Sequence, residues 1–146
     1  MKKLLPLLLL LVSLNISGQQ NKRERIKALK VSFITEKLDL TTQEAQKFWP
    51  VYNAHEKEMF AIRFKEMRDI RKEIKNNIDT MTDEKANTLL TRLNTAEIKA
   101  HKIKVELVKN LSSILSPKKI ILLKVAEEDF KRKILDEFKK RRKEKN

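Results

Sequence analysis

Glycine and proline are almost absent from this chain of 146 residues, which contains one Gly and three Pro. Tight turns between strands depend on these residues, whereas long helices avoid them. The chain is rich in Lys, Glu, Leu, Ile and Ala, a composition typical of helical proteins. We therefore expect an all-α fold. The scarcity of glycine also excludes phosphate-binding loops and dinucleotide fingerprints, because such motifs need several glycines within one short loop.

The N-terminus has the pattern of a secretory signal peptide. Lys2 and Lys3 precede the apolar run Leu4–Val12, and the polar and small residues Ser13, Asn15, Ser17 and Gly18 follow. These are the three regions of a cleavable signal, and the apolar run is shorter than the roughly 20 residues that a membrane span requires. We expect residues 1–18 to be removed near Gly18 and the mature chain to be periplasmic. An uncleaved short anchor is the less favoured alternative.

Cysteine is absent from the whole chain. Disulfides, thiolate metal ligands and a lipid-modified cysteine are therefore excluded, since each needs a cysteine sulfur. An exported chain without such a cysteine is expected to be soluble rather than lipid-anchored.

Apolar periodicity and helix-capping signals divide the mature chain into four helices. Apolar residues recur every three or four positions in each, as the buried face of a helix requires. We expect one helical domain over residues 19–138 and a basic disordered tail over 139–146. The third helix has the most regular seam, with Asn110 its one polar interruption and alanines that allow close helix approach. The helices are predicted from about Lys22 to Lys37, from Thr41 to about Asn77, from after Thr82 to Ile114, and from Ser116 to Phe138.

Pro50 lies well inside the second predicted helix. It cannot donate a hydrogen bond to the carbonyl of Gln46, and its ring crowds that carbonyl. We expect a kink there, because the apolar stripe continues through the site. The alternative is a short helix that ends at Phe48, followed by a new helix that starts at Pro50.

Three helix starts share one design. Thr41 is followed three positions later by Glu44, which is the pattern of a capping box, and Thr82 and Ser116 are the hydroxyl N-caps of the next two helices. An aliphatic residue precedes each cap, and a long polar side chain lies three residues after it. Two interpretations stay open: ordinary helix starts, or the remains of a degenerate repeat.

These segments resemble the LTxxQ signature of the Spy/CpxP family of exported proteins. The three copies are Leu40–Glu44, Met81–Lys85 and Leu115–Lys119, and each departs from the signature at one or more positions. The stretches 27–41 and 44–53 are similar to a narrower group of small exported proteins of Bacteroidetes-type bacteria. Members of that group are labelled periplasmic heavy-metal sensors or sensors of an extracytoplasmic-function sigma factor.

The resemblance implies a fold, partners and functions. The fold would be a long antiparallel helical hairpin with flanking helices, commonly a curved homodimer whose concave face holds unfolded or partner polypeptide. The leading hypothesis is a chaperone-like envelope-stress protein. The alternatives are a sensor or regulatory adaptor in a sigma-factor or metal-stress pathway, and a basic protein associated with the membrane surface.

A cluster of aromatic and methionine side chains on the second helix supplies the candidate client or partner contacts. An aromatic cluster at helical spacing is more often core than binding surface. The residues around the proline cannot all point in one direction, so part of the cluster can serve either purpose. The candidates are Phe48, Trp49, Tyr52, Met59 and Phe60.

The remaining side chains indicate neither an enzyme nor a bound cofactor. No catalytic triad, paired-carboxylate cleft or activated nucleophile is recognisable. His55 and His101 are the only histidines, and a dedicated zinc site normally shows three or four ligands at defined spacing. We predict no cofactor and no assigned metal ligand.

The net charge of +14 bears on the partners. Nucleic acid would suit a basic chain, but export removes that partner. An anionic membrane surface and acidic unfolded polypeptides remain as possible partners. The simpler alternative is that the Lys and Arg side chains are solvated on helix faces and bind no partner.

Overall fold

The computed structural model describes the backbone of residues 5–144 and the side chains of residues 21–144. The described residues are helical and contain no strand, so the predicted all-α class is confirmed. The elements are α1 (Leu5–Lys37), α2 (Thr42–Phe60), a π-helical segment (Ala61–Glu66), α3 (Met67–Asn77), a 3-10 turn (Ile78–Thr80), α4 (Asp83–Leu111) and α5 (Pro117–Lys143).

The chain divides into two compact units. One is drawn from the ranges Met1–Leu40 and Ile121–Asn146, and the other is Thr41–Ile120. The sequence predicted one domain over 19–138, with α5 ending near Phe138. The structure continues α5 through the basic run to Lys143, so residues 139–143 of the predicted tail are helical. Lys and Arg favour helices and suit the negative end of the helix dipole. Residues 145–146 of that tail lie outside the described residues.

The first unit contains α1 and most of α5. Ile34, Leu38, Leu123 and Phe130 are buried, and the Phe33 and Phe130 rings lie 5.6 Å apart. Residues 1–4 of the predicted signal peptide lie outside the described residues, and residues 5–18 belong to α1. Among the residues described, no helix is both long enough and apolar enough to span a membrane.

Helix α1 ends in a Schellman motif. Leu40 N–H donates to Thr35 O at 3.1 Å, and Asp39 N–H donates to Glu36 O at 3.1 Å. Asp39 has a φ of 48°, the left-handed conformation that this motif requires at the residue after the helix. Aspartate tolerates that conformation better than most residues. The predicted end of the first helix at Lys37 is therefore fixed by specific hydrogen bonds.

The long segment from Thr42 to Asn77 is continuous. Phe60, Glu66 and Met67 keep right-handed helical φ and ψ angles at both ends of the π-helical segment. Pro50 lies inside α2, so the alternative of a helix broken there is wrong. Residues on either side, Phe48 and Tyr52, are buried and hold the helix through the proline. A change to π-helical hydrogen bonding occurs farther along, at Ala61–Glu66, and the sequence did not reveal it.

The core of the second unit forms where α4 packs against α2, the π-helical segment and α3. The predicted seam of α4 is confirmed: Leu89 and Ala96 are fully buried, and Ala100 and Leu107 are nearly so. The two small alanines lie beside Met67 and Ile70 of α3 in one buried cluster, because their size allows close helix packing. This pairing fixes which faces of the two long helical segments remain exposed.

Candidate functional site

All three predicted N-caps are present. Thr41 Oγ1 accepts from Glu44 N–H at 3.1 Å, and Glu44 Oε2 accepts from Thr41 N–H at 2.9 Å, which completes the capping box. Thr82 Oγ1 accepts from Lys85 N–H at 3.3 Å. Ser116 Oγ accepts from Lys119 N–H at 3.4 Å. The caps satisfy backbone donors that a helix start otherwise leaves without partners.

The first and third capping motifs touch each other. Lys119 Nζ lies 2.7 Å from Glu44 Oε2, so Glu44 bonds both its own N-cap and the start of α5. The hydrogen bond from Lys119 is the main reason that the pKa of Glu44 lies below its ordinary value of 4.5, and the bond from Thr41 N–H adds to that effect. Sequence reasoning did not find this pair. The sequence contains one hint of this contact: Glu44 and Lys119 each lie three residues after their N-cap and have opposite charges.

Three of the predicted contact residues belong to the core. Phe48, Tyr52 and Met59 are buried, and the Phe48 and Tyr52 rings stack with centroids 5.2 Å apart. Trp49 is half-buried and meets Phe48 edge-on at 4.9 Å. Of the five predicted contacts, only Phe60 is exposed, at 50%. The core interpretation of the aromatic cluster therefore holds for Phe48, Tyr52 and Met59, which offer no surface to a partner.

Phe60 is paired with a second exposed phenylalanine. Its ring stacks on that of Phe64 at 4.9 Å, and Phe64 is 56% exposed. In the sequence both belong to the apolar stripe of the second helix, and Phe60 was also a candidate partner contact. They face solvent because Met59, Met67 and Ile70 fill the interface with α4, and a helix can bury only the face that meets a neighbour.

An open groove of about 370 Å³ lies between α2 and α4. Its apolar lining comes from both helices and from the π-helical segment, and its charged lining contains both signs. Glu58 and Glu106 carry the negative charges, and Lys99 and Lys102 the positive ones. The apolar residues are Val51, Ala54, Ile62, Ile103 and Leu107, and His55 and Asn110 complete the lining. Sequence patterns singled out Asn110 as the polar interruption of the α4 seam, and this groove is where it lies.

His55 is the most unusual polar group of the groove. Its Nδ1 is buried and has no hydrogen-bond partner among the described residues. His101 is exposed on α4 and does not line the groove. In the described part of the chain no three His, Asp or Glu side chains converge to hold a metal ion.

Three ion pairs join the face of α4 to the segment that precedes it. Glu73 of α3 contacts Lys85 and Arg92 at 2.6 Å each, and Glu66 contacts Lys99 at 3.3 Å. The hydrogen bond from Lys85, followed by that from Arg92, lowers the pKa of the Glu73 carboxyl. These acidic side chains are consequently directed toward α4.

Comparison with models of known protein families, with curated proteins and with solved structures returned no match. The similarity to the Spy/CpxP family thus rests on the residues quoted above.

Proposed function

We propose that this chain is a non-enzymatic periplasmic protein of the envelope-stress type, which binds non-native polypeptide in a chaperone-like manner. The single observation that supports the proposal is the groove between α2 and α4, whose apolar surface is bordered by charges of both signs. Such a surface offers a flexible polypeptide both apolar contact and charge pairing.

The chemistry of the groove suits a loosely specified polypeptide. Val51, Ile62 and Ile103 offer apolar contact to a side chain that a folded client would bury. Glu58 and Lys102 can each pair with a charge of the opposite sign on the client, and neither sign is excluded. The groove is open rather than enclosed, which favours weak and varied contacts over recognition of one shape.

Filling the groove tests the proposal. Ala54→Trp adds bulk at an exposed groove position without removing a core contact, and Asn53→Trp makes the same change at the adjacent exposed residue, which does not line the groove. Aggregation of a chemically denatured client is measured by light scattering at low salt, with several-fold excess of each protein. We expect wild type and Asn53→Trp to suppress aggregation and Ala54→Trp to lose that effect, with helical circular dichroism unchanged.

Two results would argue against the proposal. Failure of the wild-type chain to suppress aggregation would remove the chaperone-like function. Equal suppression by both variants would show that the groove is not the binding site. Crosslinking in cells addresses the regulatory alternative, because one dominant partner, rather than many clients, is the expectation for a sensor or adaptor.

A further inference from the structure

The outward face of the long helical segment carries a row of six exposed residues, which we call the basic-aromatic stripe. Successive members are three or four positions apart, so they lie along one side of a helix. The row covers roughly 27 Å at the helical rise of 1.5 Å per residue. Its members are Lys57, Phe60, Phe64, Arg68, Arg71 and Lys75, all exposed.

The fold makes this face basic. The segment also contains acidic residues, but Glu66 and Glu73 are engaged by Lys99, Lys85 and Arg92 of α4. Those acids therefore lie toward the packed side of the helix. Beside the stripe, Asp69 contacts Arg68 at 3.4 Å. The exposed face keeps four cations and two stacked aromatic rings.

We propose that the basic-aromatic stripe binds the surface of a bilayer that contains anionic lipids. Such a surface presents phosphate groups above an apolar layer. Phe60 and Phe64 can enter the boundary of that layer, while the long side chains of Lys57 and Arg71 reach back to the phosphates. A basic amphipathic helix face with aromatic residues is suited to lie in the plane of a membrane.

The alternative occupant, a folded protein partner, fits the stripe less well. A stable protein interface buries about 800 Å² on each partner, whereas one helical row with two half-exposed rings offers much less apolar surface. The cations also sit on both sides of the ring pair and all have the same sign. A membrane supplies many anionic groups at once, so the contributions of separate cations add.

Vesicle partitioning of the full chain tests the proposal. The probes are vesicles of phosphatidylcholine with about one third phosphatidylglycerol and vesicles of phosphatidylcholine alone. All variants share the same N-terminal segment and basic tail, so differences between them report the stripe. We expect stronger binding to the anionic vesicles, and a loss of this preference as salt is raised.

Two pairs of matched variants separate the stripe from general charge and hydrophobicity. Phe60→Ser with Phe64→Ser is compared with Leu90→Ser and Ile98→Ser, which change two exposed apolar residues of α4. We expect the first pair to lower partitioning about tenfold and the second to have little effect.

The charge pair is Arg71→Gln with Lys75→Gln, compared with Lys104→Gln and Lys109→Gln on the exposed surface of α4. Both doubles remove the same net charge. We expect about a thirtyfold loss for the stripe variant and a much smaller loss for its control.

Three outcomes would overturn the proposal. The first is no preference of the wild-type chain for anionic vesicles. The second is an equal loss in stripe and control variants, which would show that net charge alone drives binding. The third is unchanged vesicle partitioning of the Phe60→Ser, Phe64→Ser chain together with a loss of client protection, which would assign the stripe to polypeptide binding.

Discussion

Lys119 Nζ bonds Glu44 Oε2 at 2.7 Å and so joins two helix starts that are 75 residues apart in sequence. Glu44 closes the capping box of α2, while Lys119 lies three residues after the N-cap of α5. Each side chain is about one quarter exposed. A local capping device thus also serves as a tertiary contact, because the same carboxylate oxygen accepts from both the Thr41 backbone and the Lys119 ammonium.

Removal of the Lys119 charge should destabilise the second unit. Lys119→Met keeps the length and apolar character of the side chain but leaves Glu44 without its cation. We expect a lower melting temperature by circular dichroism, with the helical signal at low temperature unchanged. Lys118→Met, which removes an adjacent exposed charge, is the control. A fall in melting temperature as large in the control would mean that net charge, rather than this pair, is responsible.

The N-caps should differ in how much they contribute to the free energy of unfolding, and the capping box at Thr41 should contribute more than the single bond at Ser116. Thr41→Ala removes the acceptor for Glu44 N–H and disturbs the reciprocal bond, and we expect a loss of about 1 kcal/mol in the free energy of unfolding. Ser116→Ala should cost less, because its bond is longer, at 3.4 Å, and Pro117 has no N–H to satisfy. Urea denaturation measures both. Thr42→Ala is the control, and an equal effect in all three variants would contradict the ranking.

The parts of the fold that the sequence revealed are those that local chemistry decides. A hydroxyl followed by Glu44 forms its hydrogen bonds within one turn, so the pattern alone locates the start of α2. The seam of α4 was also visible, because a helix with one buried side repeats its apolar residues every three or four positions. Ala96 and Ala100 belong to the buried cluster at that seam.

The parts that stayed hidden depend on how helices meet. Phe60 and Phe64 continue an apolar stripe in sequence, but α4 covers only one face of the segment, and both rings remain exposed. The π-helical turn that carries Phe64 leaves no signal in the residue pattern. The contact of Glu44 with Lys119 likewise depends on tertiary packing within the second unit. Periodicity shows which residues share one face of a helix, whereas tertiary packing decides which of the apolar faces is buried.

The Glu73 ion pairs should make stability depend on acid pH. The pKa of Glu73 is lower in the folded chain than its ordinary value of 4.5, first because of Lys85 and then Arg92. A lowered folded pKa means that the unfolded chain binds a proton more readily. The stabilisation is therefore complete well above pH 4.5 and is lost as the pH falls through the folded pKa. Comparing urea midpoints of wild type and Glu73→Gln across this range measures it.

The gap between wild type and Glu73→Gln should be largest near neutral pH and should close as the pH falls. Glu97→Gln, which removes an exposed carboxylate of α4, serves as the control and should shift the midpoint little. A gap that stays constant down to the most acidic pH would mean that the Glu73 contribution is packing rather than charge.

Pro50 should limit the stability of α2, and its replacement should increase it. The proline is exposed and lies inside α2, so Pro50→Ala leaves no cavity. It supplies the missing N–H for the Gln46 carbonyl and removes the ring that crowds it. A proline in a helix interior costs about 3 kcal/mol, and its stiffening of the unfolded chain returns up to about 1 kcal/mol. We expect a net gain of about 2 kcal/mol in the free energy of unfolding, measured by urea denaturation.

Pro117→Ala is the matched control for this substitution. Pro117 is the first residue of α5, a position where proline is favoured because its N–H would lack an intrahelical partner anyway. The same chemical change should therefore be neutral or slightly destabilising there. If Pro50→Ala did not stabilise the chain either, the prediction would be wrong, and the proline ring would have to make a stabilising contact that alanine cannot replace. The opposite signs expected at the two prolines would show that position within the helix decides the effect.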